Sequence, residues 1–216
     1  MPDKTSDKNQ ISKELLQRAY DLKGPEDTRQ LYHDWAATYN DTMVTGLTYS
    51  APTSVANMLE AHCDDKSALI ADIGCGTGLT GKAAFDLGYQ RLVGLDFCDE
   101  MLAQAGQLGI YQQLINADLT KTLDIETGCF DAAISSGIFT YGHLNADCLA
   151  EIFRIIRPGG LFVCVVRLQV WQELGFAETF ARMQADKLIT LVAEKMAGNY
   201  ETSTQPDGHY LVFRKN

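Results

Sequence analysis

Leu69-Ile70-Ala71-Asp72-Ile73-Gly74-Cys75-Gly76-Thr77-Gly78 is the stretch whose reading decides the fold. A short apolar run feeds into three alternating glycines. A second apolar run, Arg91-Leu92-Val93-Gly94-Leu95, closes on Asp96. The pattern predicts a strand, a glycine turn, a helix, a second strand and a terminal carboxylate. Such a unit holds a nucleoside. The turn lets a ligand approach bare backbone, and the carboxylate accepts hydrogen bonds from ribose hydroxyls.

Downstream of this unit the alternation continues. Strands are expected near 69–73, 91–95, 112–116, 130–135 and 160–166, with helices near 77–87, 98–108 and 146–156. The strands read as nearly continuous apolar runs, as expected when both faces of a parallel sheet are covered. A helical segment should follow Arg167 to about Lys187. Leu188-Ile189-Thr190-Leu191-Val192 and His209-Tyr210-Leu211-Val212-Phe213 flank the turn signal Gln205-Pro206-Asp207-Gly208, which predicts a closing antiparallel pair.

Upstream, apolar residues at 11, 15, 16, 19 and 22 have helical spacing, and Gly24-Pro25 breaks that helix. Pro25-Glu26-Asp27 starts another, expected to run to about Tyr39 with Leu31, Trp35 and Thr38 along one side. A loop at Tyr49-Ser50-Ala51-Pro52 leads into a helix ending near Ala61. Residues 1–10 are polar and expected to fray.

The 216-residue chain suits one domain with decorations, and its 46% apolar content can bury a large core. A formal net charge of −10 repels phosphate backbones and anionic membranes, which argues against nucleic acid as a partner. The chain has no long apolar run and no signal-peptide core, so a cytoplasmic protein with no membrane partner is expected. The six cysteines form no CxxC pair and none neighbours a histidine at zinc-ligand spacing, so buried free thiols and no metal are expected.

Two ligand classes fit the glycine turn: a dinucleotide such as NAD, and S-adenosylmethionine. Asp96 follows Gly74 by 22 residues, close to the ~20 of a dinucleotide site, so distance does not choose. In the register set by the strand end, Leu79 stands where a dinucleotide site needs Gly or Ala. The shifted series Gly76, Gly78, Gly81 does match, but it starts two residues late.

Asp72-Ile73-Gly74-Cys75-Gly76-Thr77-Gly78 resembles the first motif of class I S-adenosylmethionine-dependent methyltransferases. Asn116-Ala117-Asp118-Leu119 resembles their adenine-binding motif, Phe130-Asp131-Ala132-Ala133-Ile134-Ser135 their fourth strand, and Arg157-Pro158-Gly159-Gly160 their turn into the fifth. The resemblance covers about 68–167. Two flanking stretches, Leu31-Tyr32-His33-Asp34-Trp35-Ala36-Ala37-Thr38-Tyr39-Asn40 with Tyr49-Ser50-Ala51-Pro52, and Gly137-Ile138-Phe139-Thr140-Tyr141-Gly142-His143-Leu144, resemble the Williams–Beuren-syndrome-region methyltransferase-like group. Asn40 departs from the aspartate common after the tyrosine.

The resemblance implies an α/β, Rossmann-like class I methyltransferase fold. This has a seven-stranded, mostly parallel sheet, a C-terminal antiparallel strand pair and an N-terminal helical cap. Residues 1–61 would form the cap or lid and 62–216 the cofactor-binding part. Gly74, Gly76 and Gly78 would bring backbone against the methionine part of S-adenosyl-L-methionine, whose carboxylate meets the helix N-terminus. Asp72 would orient the ligand's amino group, or only tie the glycine loop to its own backbone. Asp96 would take both ribose hydroxyls. Phe97 would lie on the adenine, or in the core. Asp118 and Leu119 would meet the adenine edge, and Ser135 would offer its carbonyl to the amine. Tyr39, with Trp35, would close over the ligand, although core packing is an equal reading of Trp35. His143 and Tyr141 are the catalytic candidates. His143 could act as general base for a hydroxyl, or serve only as a satisfied core histidine. The expected reaction is in-line methyl transfer to an oxygen, nitrogen or sulfur of a small molecule. The alternatives are an NAD(P)-dependent oxidoreductase and a non-catalytic S-adenosylmethionine sensor.

Overall fold

Seven strands hydrogen-bond into one sheet in the computed structural model, which describes residue 15, residues 17–19, residue 22 and residues 25–216. They are β1 (Leu69–Ile73), β2 (Arg91–Asp96), β3 (Tyr111–Asn116), β4 (Phe130–Phe139), β5 (Ile156–Arg167), β6 (Ile189–Ala197) and β7 (Gly208–Lys215). Their order is β3-β2-β1-β4-β5-β7-β6. The first five run parallel, and β7 is inserted antiparallel between β5 and β6. The α-helices are α1 (Pro25–Trp35), α2 (Ala51–Glu60), α3 (Leu79–Asp86), α4 (Asp99–Gln107), α5 (Leu149–Ile155) and α6 (Phe176–Ala185).

Alternating strand side chains feed two apolar layers. On one face Ile73, Leu95 and Phe162 pack with Leu149, Ile152 and Phe153 of α5 and Phe176 and Phe180 of α6. On the other face Ile70, Leu92 and Val163 pack with Val55 and Leu59 of α2, Ala84 of α3 and Tyr89. Covering both faces explains why the central strands carry so few polar positions, whereas β3 and β6 at the sheet edges are largely exposed. From β1 the sheet grows towards β2 and β3 on one side and towards β4 and β5 on the other. The carboxyl ends of β1 and β4 therefore border the crevice where ligands of open sheets sit.

Most expected elements are present, with informative differences. The helix expected over 25–39 stops at Trp35. A turn follows, then a π-helical turn over Asp41–Gly46. Thr42 Oγ1 donates to the Thr38 carbonyl and accepts from Trp35 Nε1, so side-chain bonds compete with a regular ladder here. β4 continues past 135, because a register shift lets Phe139 pair with Val166. β5 begins at Ile156 rather than near 160. Between Ile156 and Leu161 the chain bulges against β4, so Pro158-Gly159-Gly160 forms a kink within the strand. The segment expected as one helix to Lys187 is a 3₁₀ turn at Leu168–Val170 followed by α6. Of the helix expected over 11–22, residue 15 and residues 17–19 are helical, while 11–14, 16, 20 and 21 lie outside the described residues.

All six cysteines are free. Four are buried, Cys63 is half-buried and Cys129 is exposed. Among the described residues no helix is long and apolar enough to cross a membrane, and no cluster of His, Cys, Asp or Glu could hold a metal ion.

Candidate functional site

Residues 74–78 join β1 to α3 as a glycine loop at the crevice. Gly76 sits at φ +54° and lines a cavity of about 330 Å³. A Cβ built there would meet nothing within 4 Å, so the bare backbone faces open space that a side chain would take up. Gly78, at φ +92°, caps α3 in the left-handed conformation, and a Cβ there would lie 2.7 Å from Leu108 and 3.1 Å from Tyr111. The loop thus needs glycine at 76 for access and at 78 for turning.

Asp96, at the end of β2, is 8% exposed and lines the same cavity. Its Oδ2 accepts from the Gly76 amide at 2.8 Å and its Oδ1 from the Cys98 amide at 3.0 Å. Burial pushes this carboxyl above its usual range, and backbone donors hold it partly down. Phe97 lines the cavity with the Arg29 guanidinium 5.6 Å from its ring centre. Beyond β3, residues 117–120 form another wall. Asp118 accepts from the Thr120 amide at 3.0 Å, from Thr120 Oγ1 at 2.6 Å and from Lys121 Nζ at 2.8 Å. These donors lower its pKa to about 2, so it is ionised. Leu119 closes that wall as a buried side chain.

Three expected residues do not line the cavity. Asp72 is 1% exposed and lies under the glycine loop. It accepts from Tyr111 Oη at 2.6 Å and from the Gly81 amide of α3, while its Oδ1 has no partner. Burial pushes its pKa to about 7. Ser135 is fully buried and donates to the Ile73 carbonyl at 2.9 Å, whereas its neighbour Ser136 lines the cavity. β4 side chains alternate, so Ser136 presents its side chain to the cavity, while the expectation for Ser135 concerned its backbone carbonyl, which side-chain burial leaves untouched. Tyr141 turns outward, with its hydroxyl donating to Glu173 Oε2 at 2.5 Å. Its carbonyl instead accepts from His143 Nδ1 at 2.8 Å.

That contact fixes the His143 tautomer. A carbonyl can only accept, so Nδ1 carries the proton and Nε2 is left as an acceptor, 2.7 Å from Tyr32 Oη. Burial lowers the His143 pKa, keeping the ring neutral near pH 7. Tyr32 belongs to α1 and, with Thr28 and Tyr39, forms the roof of the cavity. The roof is tied down at both ends. Thr28 Oγ1 donates to the Gly142 carbonyl at 3.1 Å, and Thr77 Oγ1 of the glycine loop donates to Asn40 Oδ1 at 2.5 Å. Trp35 is 2% exposed, stacks on Tyr32 and meets Tyr39 edge-on, so it supports the roof from behind. Sequence reasoning missed Tyr32, Thr28 and Ser136. The helical spacing of Thr28, Tyr32 and Trp35 on one face of α1 was the available signal.

Residues 71–164 match the family model described as a methyltransferase domain. Methyltransferase-like protein 27 of Homo sapiens is 34% identical over 137 residues, which cover 62% of this chain and 55% of that protein. The 18S rRNA (guanine-N(7))-methyltransferase of Bos taurus is 38% identical over 79 residues, covering 36% of this chain and 28% of that one. The chain thus spans about half or less of these relatives' lengths. Among solved structures, 1,6-didemethyltoxoflavin-N1-methyltransferase of Burkholderia thailandensis, with bound 1,6-didemethyltoxoflavin and S-adenosylhomocysteine, superposes with a TM-score of 0.61 at 19% identity. That match covers 90% of this chain and 92% of that one.

Proposed function

We propose that this chain is a class I S-adenosylmethionine-dependent methyltransferase and that it methylates an oxygen, nitrogen or sulfur atom of a small molecule bound beneath α1. The observation that carries the reading is the composition of the cavity wall. A bare glycine backbone and two carboxylates, Asp96 and Asp118, line it, and among the described lining residues there is no lysine or arginine. A cationic sulfonium cofactor suits that wall. A dinucleotide diphosphate would meet carboxylates and no counter-charge, which disfavours the oxidoreductase alternative.

The cofactor supplies an activated methyl group on sulfur. The chain's residues do the rest. The glycine loop and the N-terminus of α3 receive the carboxylate of the methionine part. Asp96 has lone pairs left for ribose hydroxyls, since each oxygen currently accepts one amide. Phe97 flanks the adenine, Asp118 and the Leu119 backbone meet its edge, and the Ser135 carbonyl meets the amine. Tyr39 and the rest of 25–50 cover the crevice and exclude water, as a lid.

At the acceptor end, His143 Nε2 takes a proton through Tyr32. An acceptor hydroxyl hydrogen-bonded to Tyr32 Oη gives up its proton as Tyr32 passes its own to Nε2. The neutral Nδ1–H tautomer is poised for this. Alignment contributes more than the base, because a sulfonium methyl needs chiefly a well-placed nucleophile. The formal charge of −10 speaks against RNA as the acceptor, although one relative's name places it on 18S rRNA. Calorimetry tests the premise. S-adenosylmethionine and S-adenosylhomocysteine should bind with micromolar Kd, about −8 kcal/mol. Saturable NAD binding with no response to either adenosyl ligand refutes it.

A further inference from the structure

Gly81, the last of the shifted glycine series, does not line the cavity. Its bareness serves the space beneath the glycine loop instead. A Cβ built on Gly81 would stand 2.1 Å from Tyr111 Oη and 2.8 Å from Asp72 Oδ2. One built on Gly94 of β2 would stand 3.2 Å from Tyr111 Cε1. The two bare positions leave room for the ring of Tyr111, the first residue of β3, to reach under the loop. There its hydroxyl donates to Asp72 Oδ2 at 2.6 Å.

Asp72 is poised between its two charge states. Burial opposes ionisation, the Tyr111 hydroxyl and the Gly81 amide favour it, and the Asp96 charge opposes it, which leaves the pKa at about 7. Its Oδ1 has no partner, although a carboxylate can accept at both oxygens. Buried polar atoms are rarely left so, because each costs its desolvation without return. The titratable groups facing it are Tyr111 from β3, Asp96 from β2 and Cys75 from the loop. Burial pushes the Tyr111 hydroxyl and the Cys75 thiol up, so both stay neutral. None of the side chains acting on Asp72 is cationic. A cation brought into the cavity would therefore tip it towards the charged form. In the sheet Asp72 pairs with Ile134, next to Ser135, whose carbonyl is assigned to the cofactor's amine. The carboxyl and that ammonium thus belong to the same strand ends.

We propose that Tyr111 is a positioning residue for cofactor binding: it holds Asp72 beneath the glycine loop as the counter-charge of the cofactor's ammonium, and loading the cofactor displaces the Asp72 proton to solvent. This rests on the cavity being the adenosyl site. The O–H bond of the carboxyl breaks, its electron pair stays on Asp72, and the new charge faces the incoming cation.

The test titrates S-adenosylhomocysteine into the full chain by calorimetry from pH 6 to pH 9, in buffers of different ionisation enthalpy that count the protons released. Affinity should rise about tenfold from pH 6 to pH 8, the excess of protonated over charged Asp72 at pH 6, with close to one proton released per ligand at pH 6. Asp72→Asn should bind more weakly at pH 8, with a flat profile and no proton released. Tyr111→Phe keeps the ring and removes the donor that favours the charge. It should bind severalfold more weakly at pH 7, and its rise should move to higher pH, recovering towards the parent by pH 9. A Tyr111 that only fills space would cost the same factor at every pH. The inference is overturned if the parent releases no proton, if Asp72→Asn keeps the rise and so assigns it to Asp96, or if Tyr111→Phe loses affinity evenly across pH. The parent's proton count needs no variant and can refute the coupling alone. Failure of S-adenosylhomocysteine to bind at any pH would instead strike at the cofactor reading, which keeps the two failures apart.

Discussion

Replacing Asp72 by asparagine should stabilise the cofactor-free protein at alkaline pH and leave it nearly unchanged in acid. Asp72 is 1% exposed, one of its oxygens has no partner, and burial pushes its pKa from the ordinary 3.8 to about 7. Between those values the folded chain holds a proton that the unfolded chain has released. Stability therefore falls as pH rises from 3.8 towards 7 and levels off above it. At ~1.4 kcal/mol per pH unit, the loss amounts to about 4 kcal/mol. Asparagine imitates the protonated carboxyl, since its oxygen can still accept from Tyr111 Oη and the Gly81 amide. Its amide nitrogen takes the partnerless place that the acid's proton would occupy. The gap between variant and parent should thus widen by ~2.5–3 kcal/mol from pH 5 to pH 8. Urea unfolding at both pH values, in one buffer system and without cofactor, measures the gap by linear extrapolation. A gap that stays constant, or narrows with pH, would mean that the carboxyl is ionised in the fold and would refute the reasoning.

Two further outcomes are expected. Asp96→Ala should weaken S-adenosylhomocysteine binding by about 1.5–3 kcal/mol in a folded protein, the range for hydrogen bonds to a charged group, and unchanged affinity would remove Asp96 from the ribose. Hydrogen exchange over 25–50 should slow when S-adenosylhomocysteine is added, beyond the change in the glycine loop. Slow exchange in both states would make this segment permanent packing and reject a lid.

The sheet was legible because its signals are local. Apolar runs of strand length, glycines at each turn and Asp96 closing β2 each follow from a few neighbouring residues, and all agree on one topology. The two longer strands and the broken α1 segment were not legible, because their ends depend on partners distant in sequence. Phe139 is strand because Val166 lies beside it, and Trp35 Nε1 donates to Thr42 Oγ1 where the helix gives way to the π-helical turn. The cofactor side of the site follows the same rule. Gly76, Asp96, Phe97, Asp118 and Leu119 hang on strand ends, and the strand ends were right. Side chains there follow the pleat, since the step from Ser135 to Ser136 moves a side chain from core to cavity.

The acceptor side was legible in its residue types and not in their geometry. His143 and Tyr141 stand two residues apart after β4, and both looked available to a substrate. The fold divides their labour. Tyr141 sends its hydroxyl to Glu173 and lends His143 only a carbonyl, while the hydroxyl that meets Nε2 comes from Tyr32, 111 positions earlier in the chain. No spacing rule connects residues so far apart, because their meeting depends on how α1 lies across the crevice. The same roof brings Tyr32 and Tyr39 over the main cavity and a smaller one behind it. On the proposed function, acceptor selectivity would belong to the packing of α1 against the end of β4, and cofactor binding to the sheet. Substitutions in the roof should accordingly change which molecule is methylated before they change whether the cofactor binds.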